Sequence, residues 1–175
     1  MPVELVLTIL SRDQPGVVEA LADTVTAHSG NWIDSSMARL GGEFAGILRV
    51  SAPEENIDAL VKALTGLSEK GIDVTLRRDR AAAPQQGGHR VQLSLTGLDH
   101  PGIVLEVSRA LAGFNANIEE LRTETFTGSM GGEAMFSANA QITLPETLNM
   151  DEVREALERI ADDIMVDIEL EEATQ

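Results

Sequence analysis

The feature that most constrains this chain is that it states the same plan twice. Asp13-Gln14-Pro15-Gly16-Val17-Val18 recurs as Asp99-His100-Pro101-Gly102-Ile103-Val104, displaced by 86 residues. At that displacement Leu7 matches Leu93 and Asn31 matches Asn117. Gly41-Gly42-Glu43 reappears as Gly131-Gly132-Glu133, displaced by 90, which predicts four extra residues in the second copy, around 127–130. Length alone permits one ordinary domain or two small ones; the repeat chooses two. Residues 80–88 between the copies read RAAAPQQGG, a composition suited to an exposed linker. The expected organisation is a module over 1–79, a linker over 80–88 and a second module over 89–175.

Each copy reads as strand, helix, strand, strand, helix, strand. In the first, Val3, Leu5, Leu7 and Ile9 alternate as a half-buried strand requires. Val17, Val18, Leu21 and Val25 then recur at helical spacing, and Gly30 is a natural stop because it tolerates left-handed dihedrals. Residues 32–40 and 43–51 flank Gly41-Gly42 as a hairpin. Ile57, Leu60, Val61, Leu64 and Leu67 form a second apolar helix face, and Ile72, Val74 and Leu76 a last strand. The second copy follows with Val91, Leu93 and Leu95; a helix lined by Ile103, Val104, Val107 and Leu111; a hairpin over 117–126 and 133–144; a helix lined by Met150, Val153, Leu157 and Ile160; and a strand of Val166, Ile168 and Leu170. A module of this size must place both helices on one face of a four-stranded antiparallel sheet. The predicted class is α+β, two ferredoxin-like βαββαβ modules. Their apolar first and fourth strands invite edge pairing, so the two sheets are expected to join side by side.

Composition narrows the function. Twenty-nine Asp and Glu against thirteen Lys and Arg give a formal charge of −16, which repels phosphate backbones and argues against direct nucleic-acid binding. The acidic residues Asp162, Asp163, Asp167, Glu169, Glu171 and Glu172 are assigned to a solvated last strand and tail. With no cysteine, disulfides and thiolate metal sites are excluded. No run of eighteen apolar residues and no basic-then-apolar start is present, so neither a membrane span nor a signal peptide is expected, and the cytoplasm is the default compartment.

The βαββαβ order, the D-x-P-G turn after the first strand and the asparagine opening the second strand resemble ACT domains. Two copies filling the chain are similar to the family of the glycine cleavage system transcriptional repressor, a match strengthened by Asn31-Trp32-Ile33-Asp34-Ser35 and by Asn117-Ile118-Glu119-Glu120-Leu121-Arg122-Thr123-Glu124. The resemblance implies a regulator that binds a small amino acid, glycine among the candidates, between ACT modules. It also implies control of a transcription activator through protein contact. A broad antiparallel sheet leaves one face needing cover, so self-association as a homodimer is expected. A regulatory subunit of an amino-acid metabolic enzyme and an assembly module without ligand are the alternatives.

The chemistry of the turn fits such a role. A strand passing straight into a helix exposes the first amides at its positive end. Gly16 and Gly102 let a carboxylate approach that backbone closely, and Pro15 and Pro101 preset the dihedral for starting a helix. Asp13 and Asp99 are N-caps, or face a ligand ammonium, or both. Asn31 and Asn117 offer a donor and an acceptor to a zwitterion, or bond their own backbone. His100, standing where the first copy has Gln14, is a ligand contact with pH dependence or an exposed turn residue. Trp32 packs in the core or an interface. No catalytic residue, metal ligand set or cofactor motif is found: the three histidines have no nucleophile at any suitable spacing, no H-E-x-x-H or G-x-S-x-G occurs, and Gly87-Gly88 is not followed by G-K-[ST]. The adjacent pairs Glu119-Glu120 and Asp162-Asp163 are expected to point to different sides of their elements. The chain is therefore expected not to be an enzyme.

Overall fold

The computed structural model describes residues 1–78 and 87–172. The chain divides into two compact units, Met1–Ala83 and Pro84–Gln175. Unit 1 runs β1 (Pro2–Arg12), α1 (Val17–Ala27), β2 (Asn31–Leu40), β3 (Glu43–Pro53), a 3-10 turn at Glu54–Asn56, α2 (Ile57–Gly66), a second 3-10 turn at Leu67–Lys70, and β4 (Ile72–Arg78). Unit 2 runs β5 (Gly88–Leu98), α3 (Ile103–Gly113), β6 (Asn117–Thr127), β7 (Ala134–Pro145), α4 (Met150–Ile164) and β8 (Val166–Glu172). Gly88 already belongs to β5, opposite Pro145, although it lies in the span expected as linker; residues 80–86 are outside the described residues.

Both sheets are wholly antiparallel, with strand orders β2-β3-β1-β4 and β6-β7-β5-β8. Alternation decides which face is covered. Leu5, Leu7 and Ile9 of β1 and Leu48, Val50 and Ala52 of β3 are buried beneath Val17, Leu21 and Val25 of α1 and Ile57, Leu60 and Leu64 of α2. In unit 2 the corresponding layer is Val91, Leu93 and Leu95 with Ala138, Ala140, Ile142 and Leu144, under Ile103, Val107 and Leu111 of α3 and Val153, Leu157 and Ala161 of α4. These are the ferredoxin-like modules expected from the repeat. No helix among the described residues is long and apolar enough to cross a membrane.

Four local expectations are corrected. Helix α1 ends at Ala27, and the left-handed residue after it is Ser29 (φ 56), not Gly30. Gly30 is needed for proximity instead: a Cβ there would lie 2.8 Å from Val25 Cγ1 and 2.9 Å from the Val25 carbonyl. Asp162 and Asp163 belong to α4, so the acidic strand begins only at Asp167. The second hairpin is longer than the Gly-Gly-Glu match implies. Leu40 pairs with Glu43 across two residues, whereas its counterpart Phe126 pairs with Met135 across eight. Gly42, whose carbonyl accepts from Asp13 N, is matched by Ala134, whose carbonyl accepts from Asp99 N.

The fourth correction concerns facing. A bulge shifts the register between Trp32 and Asp34, and another between Ile118 and Glu120. One extra residue reverses every side chain beyond it. Glu119 Oε1 accepts from Thr143 Oγ1 at 2.5 Å and Glu120 lies opposite Gln141, both partners flanking buried Ile142. The two glutamates therefore share the open face instead of pointing to opposite sides. Leu121, beyond the bulge, turns to the helix side with Ile118; in unit 1, Trp32 Nε1 donates to Ser35 Oγ at 3.3 Å across the same device.

Candidate functional site

The two D-x-P-G corners have one geometry. Gly16 (φ 90, ψ 1) is the N-cap of α1 and Gly102 (φ 100, ψ −9) the N-cap of α3, each left-handed, with no side chain bonding the first-turn amides. The expectation that Asp13 and Asp99 cap these helices is overturned. Glycine takes the cap because the chain must turn through a positive φ there, and the aspartates lie three residues too early to reach the amides. Pro15 and Pro101 accordingly precede the cap and do not open the helix. A Cβ on either glycine would meet nothing within 4 Å, so the dihedral alone requires glycine, and the space before both helix ends is open. The first amide with an intrahelical partner is Ala20 in α1, donating to Gly16 O at 2.9 Å, and Glu106 in α3, donating to Gly102 O at 3.0 Å.

The aspartates differ. Asp13 Oδ2 accepts from Arg39 Nη1 at 3.1 Å, an exposed pair worth under about 1 kcal/mol. Register puts Thr125 where Arg39 stands, and among the described residues no side chain bonds Asp99. Both carboxylates are exposed.

His100 does not face the open corner. Its Nε2 lies 2.8 Å from the Ile164 carbonyl at the end of α4, and its Nδ1 lies 3.1 Å from the Pro101 carbonyl. Gln14 does the same work in unit 1, Nε2 donating to the Lys70 carbonyl at 3.4 Å. The variable turn residue thus ties the corner to the end of the second helix. A neutral imidazole has one N–H and the imidazolium has two. Two carbonyl acceptors, Ile164 above all and then Pro101, together with the charge of Asp99, raise the His100 pKa above 6.5.

Asn31 and Asn117 are exposed and stand at the far end of the first helix of their modules. Asn31 lines an open hollow of about 660 Å³ with Ser29, Ser51 and Glu55. Asn117 lines a counterpart of about 1360 Å³ with Asn115, Glu119 and Thr143. Helices α1 and α3 have eleven residues each, so roughly 15 Å separates corner from asparagine. Each module therefore groups Asp13 with Gly16, or Asp99 with His100 and Gly102, but does not bring its own asparagine to its own corner.

Unit 2 carries one feature that the sequence pattern does not show. It is a shallow apolar slot, about 30 Å³ of sheltered space within about 380 Å³ that includes the open solvent at its mouth, between α3 and the strands β6 and β7. Ile103 and Val104, directly after Gly102, line one end, and Ile118, directly after Asn117, lies along it. The signal was present as Ala140 facing Leu93 where unit 1 has Leu48 facing Leu7, but that equivalence needs the true hairpin length.

Residues 4–77 match the ACT domain family. The glycine cleavage system transcriptional repressor of Escherichia coli (strain K12) is 28% identical over 125 residues, covering 69% of this chain; the match spans 64% of that protein's length. The crystal structure of an unknown protein from Galdieria sulphuraria is 32% identical, with 99% of this chain and 100% of that chain covered and a TM-score of 0.87. A crystal structure of a protein put forward as a glycine cleavage system transcriptional repressor has the same fold, with a TM-score of 0.73 at 19% identity, covering 100% of this chain and 99% of its own.

Proposed function

We propose, from the ACT-domain match over residues 4–77, the repetition of the same fold in unit 2 and the similarity to the glycine cleavage system transcriptional repressor, that this chain is a tandem ACT-domain protein and a cytoplasmic regulator which binds a small amino acid and passes that binding to a protein partner. The observation that carries the reading is the repeated corner. In both units an uncapped, left-handed glycine leaves the positive end of a helix facing open space. Such an end takes a carboxylate, and a nearby aspartate takes an ammonium. Asp99, held by no other side chain among the described residues, is the better placed of the two aspartates. Asp13, Gly16, Gly102 and Asp99 thus form the proposed polar grip.

Asn31 and Asn117 enter it differently. Because each lies a helix length from its own corner, a ligand that uses both kinds of group draws the second kind from another copy of the chain, as in self-association. That arrangement suits a sensor, since a ligand shifts an equilibrium only by binding one packing better than another, with coupling of about 1–3 kcal/mol typical. His100 is proposed as a brace for the corner and not as a ligand contact. The formal charge of −16 supports output through a protein partner, a transcription activator by family likeness, over contact with DNA.

The test is a thermal-shift screen of the full chain against the twenty amino acids at millimolar concentration. At least one is expected to raise the unfolding temperature, and replacing both Asn31 and Asn117 by alanine is expected to abolish the rise. No shift with any amino acid would end the sensing reading; a shift that survives the double replacement would remove the asparagines from it.

A further inference from the structure

The two modules differ in what fills the space beneath the first helix on its β2 or β6 side. In unit 1, Leu48 is fully buried, Trp32 and Met37 of β2 pack on the core, and Met37 lies so close over Gly46 that an added Cβ would be 2.4 Å from its Cγ. In unit 2 the matching positions hold Ala140 for Leu48, Ile118 for Trp32, Thr123 for Met37 and Ala138 for Gly46. All eleven residues of β6 are exposed, and none is among the buried or half-buried side chains of that core. The slot is what the missing side chains leave. We propose that it is a binding site for a short branched aliphatic group, and that it tunes the second module to an amino acid of the valine, leucine and isoleucine class over glycine. The amino-acid part rests on the reading above; the aliphatic part does not.

Three observations choose the occupant. The lining is apolar apart from Ser108, whose hydroxyl already donates to the Leu105 carbonyl at 3.1 Å, so the slot offers no polar partner and penalises a polar guest. Its mouth is rimmed by the exposed apolar side chains of Val104, Ile118 and Leu121, which water would leave for a hydrocarbon. It is narrow, bounded by two alanines and one face of α3, far below the roughly 800 Å² a protein partner covers in a stable interface. Its position adds the rest: it starts at Ile103 and Val104, so an aliphatic side chain lying in it leaves its α-carbon beside the Gly102 corner. Each methylene buried is worth about 0.8 kcal/mol, or roughly fourfold in affinity, so leucine is expected to exceed glycine by at least about tenfold.

The experiment uses the full chain with methyl-labelled alanine, probed with isobutanol, leucine and glycine. Isobutanol is expected to shift the Ala138 and Ala140 methyl resonances and leave Ala52 of the first core unmoved. Ala140→Leu, which restores the unit 1 residue, is expected to abolish the Ala138 shift and to collapse the leucine-to-glycine affinity ratio measured by calorimetry. Leu121→Ser at the exposed rim, copying Ser35, serves the same purpose if Ala140→Leu fails to fold, and is expected to weaken both signals several-fold. Unmoved methyls, or an affinity ratio unchanged in the variants, would overturn the proposal. If isobutanol enters but no amino acid binds, the slot stands and the sensor reading falls. If leucine and glycine bind equally with the methyls unmoved, the sensor reading stands and the slot falls.

Discussion

The first module closes over its core with half-buried side chains from β2, and the second leaves the same place more open, because the β6 side chains on that face stay exposed. The backbones agree in strand order, bulge position and corner dihedrals. A duplicated backbone thus carries two surfaces: one sealed by Trp32, Met37 and Leu48, and one open along α3. The helix ends differ in the same spirit. Asn149 caps α4 by accepting from Asp151 N at 2.9 Å, while the corresponding Asn56 makes no such bond and instead donates Nδ2 to the His28 carbonyl at 3.2 Å. The lesson is that corner geometry is the shared property and packing beside it the individual one.

The largest expected effect comes from unsealing the first module. Leu48→Ala should cost about 2–5 kcal/mol in denaturant unfolding, with the loss confined to the unit 1 transition; a cost under about 1 kcal/mol would mean that unit 1 tolerates the open arrangement too. Next come the corners. Gly16→Ala and Gly102→Ala should each lose about 1–2 kcal/mol from the left-handed strain alone, and because neither glycine is crowded the two losses should agree. A clear inequality would show that the corners are not equivalent. Asn149→Ala should lose about 1 kcal/mol of stability with its cap. Asn56→Ala tests a different bond, and its helix should hold its amide protection at the first turn.

The smallest effect is a pH dependence present in one module only. The fold raises the His100 pKa, through the Ile164 carbonyl first, then that of Pro101 and the nearby charge of Asp99. A raised pKa means that the contribution is fully present below the unfolded value of about 6.5 and is lost as pH rises through the folded value. The melting temperature of unit 2 should therefore fall across that window relative to His100→Gln, which copies Gln14. Parallel curves for the two proteins would show that the brace does not titrate.

The fold was legible because burial on one face writes itself into the chain. Leu5-Leu7-Ile9 and Val91-Leu93-Leu95 alternate with the pleat, and Val17-Leu21-Val25 follows the helix turn. The site was legible in part. The D-x-P-G pattern located both corners but named the wrong cap, since a left-handed residue intervenes and sequence spacing carries no sign of φ. His100 reads as a ligand contact or an exposed turn residue because nothing local reveals a carbonyl sixty-four residues away. The bulges mattered most. A period-two reading puts Ile118 and Leu121 on opposite faces, and a single inserted residue puts them together as two walls of one slot.

The longer second hairpin has a practical use. Thr127 still pairs with Ala134, and Gly128 N donates to the Glu133 carbonyl at 2.9 Å, so the ladder is tied off beneath a tip whose Met130 is 99% exposed. A fluorescent reporter grafted at that tip would be insulated from the register of β6 and β7, at the opposite end of β6 from Asn117. The same hairpin touches the Gly102 corner through Asp99 N and the Ala134 carbonyl, so the reporter would sit on the strand pair that borders that corner.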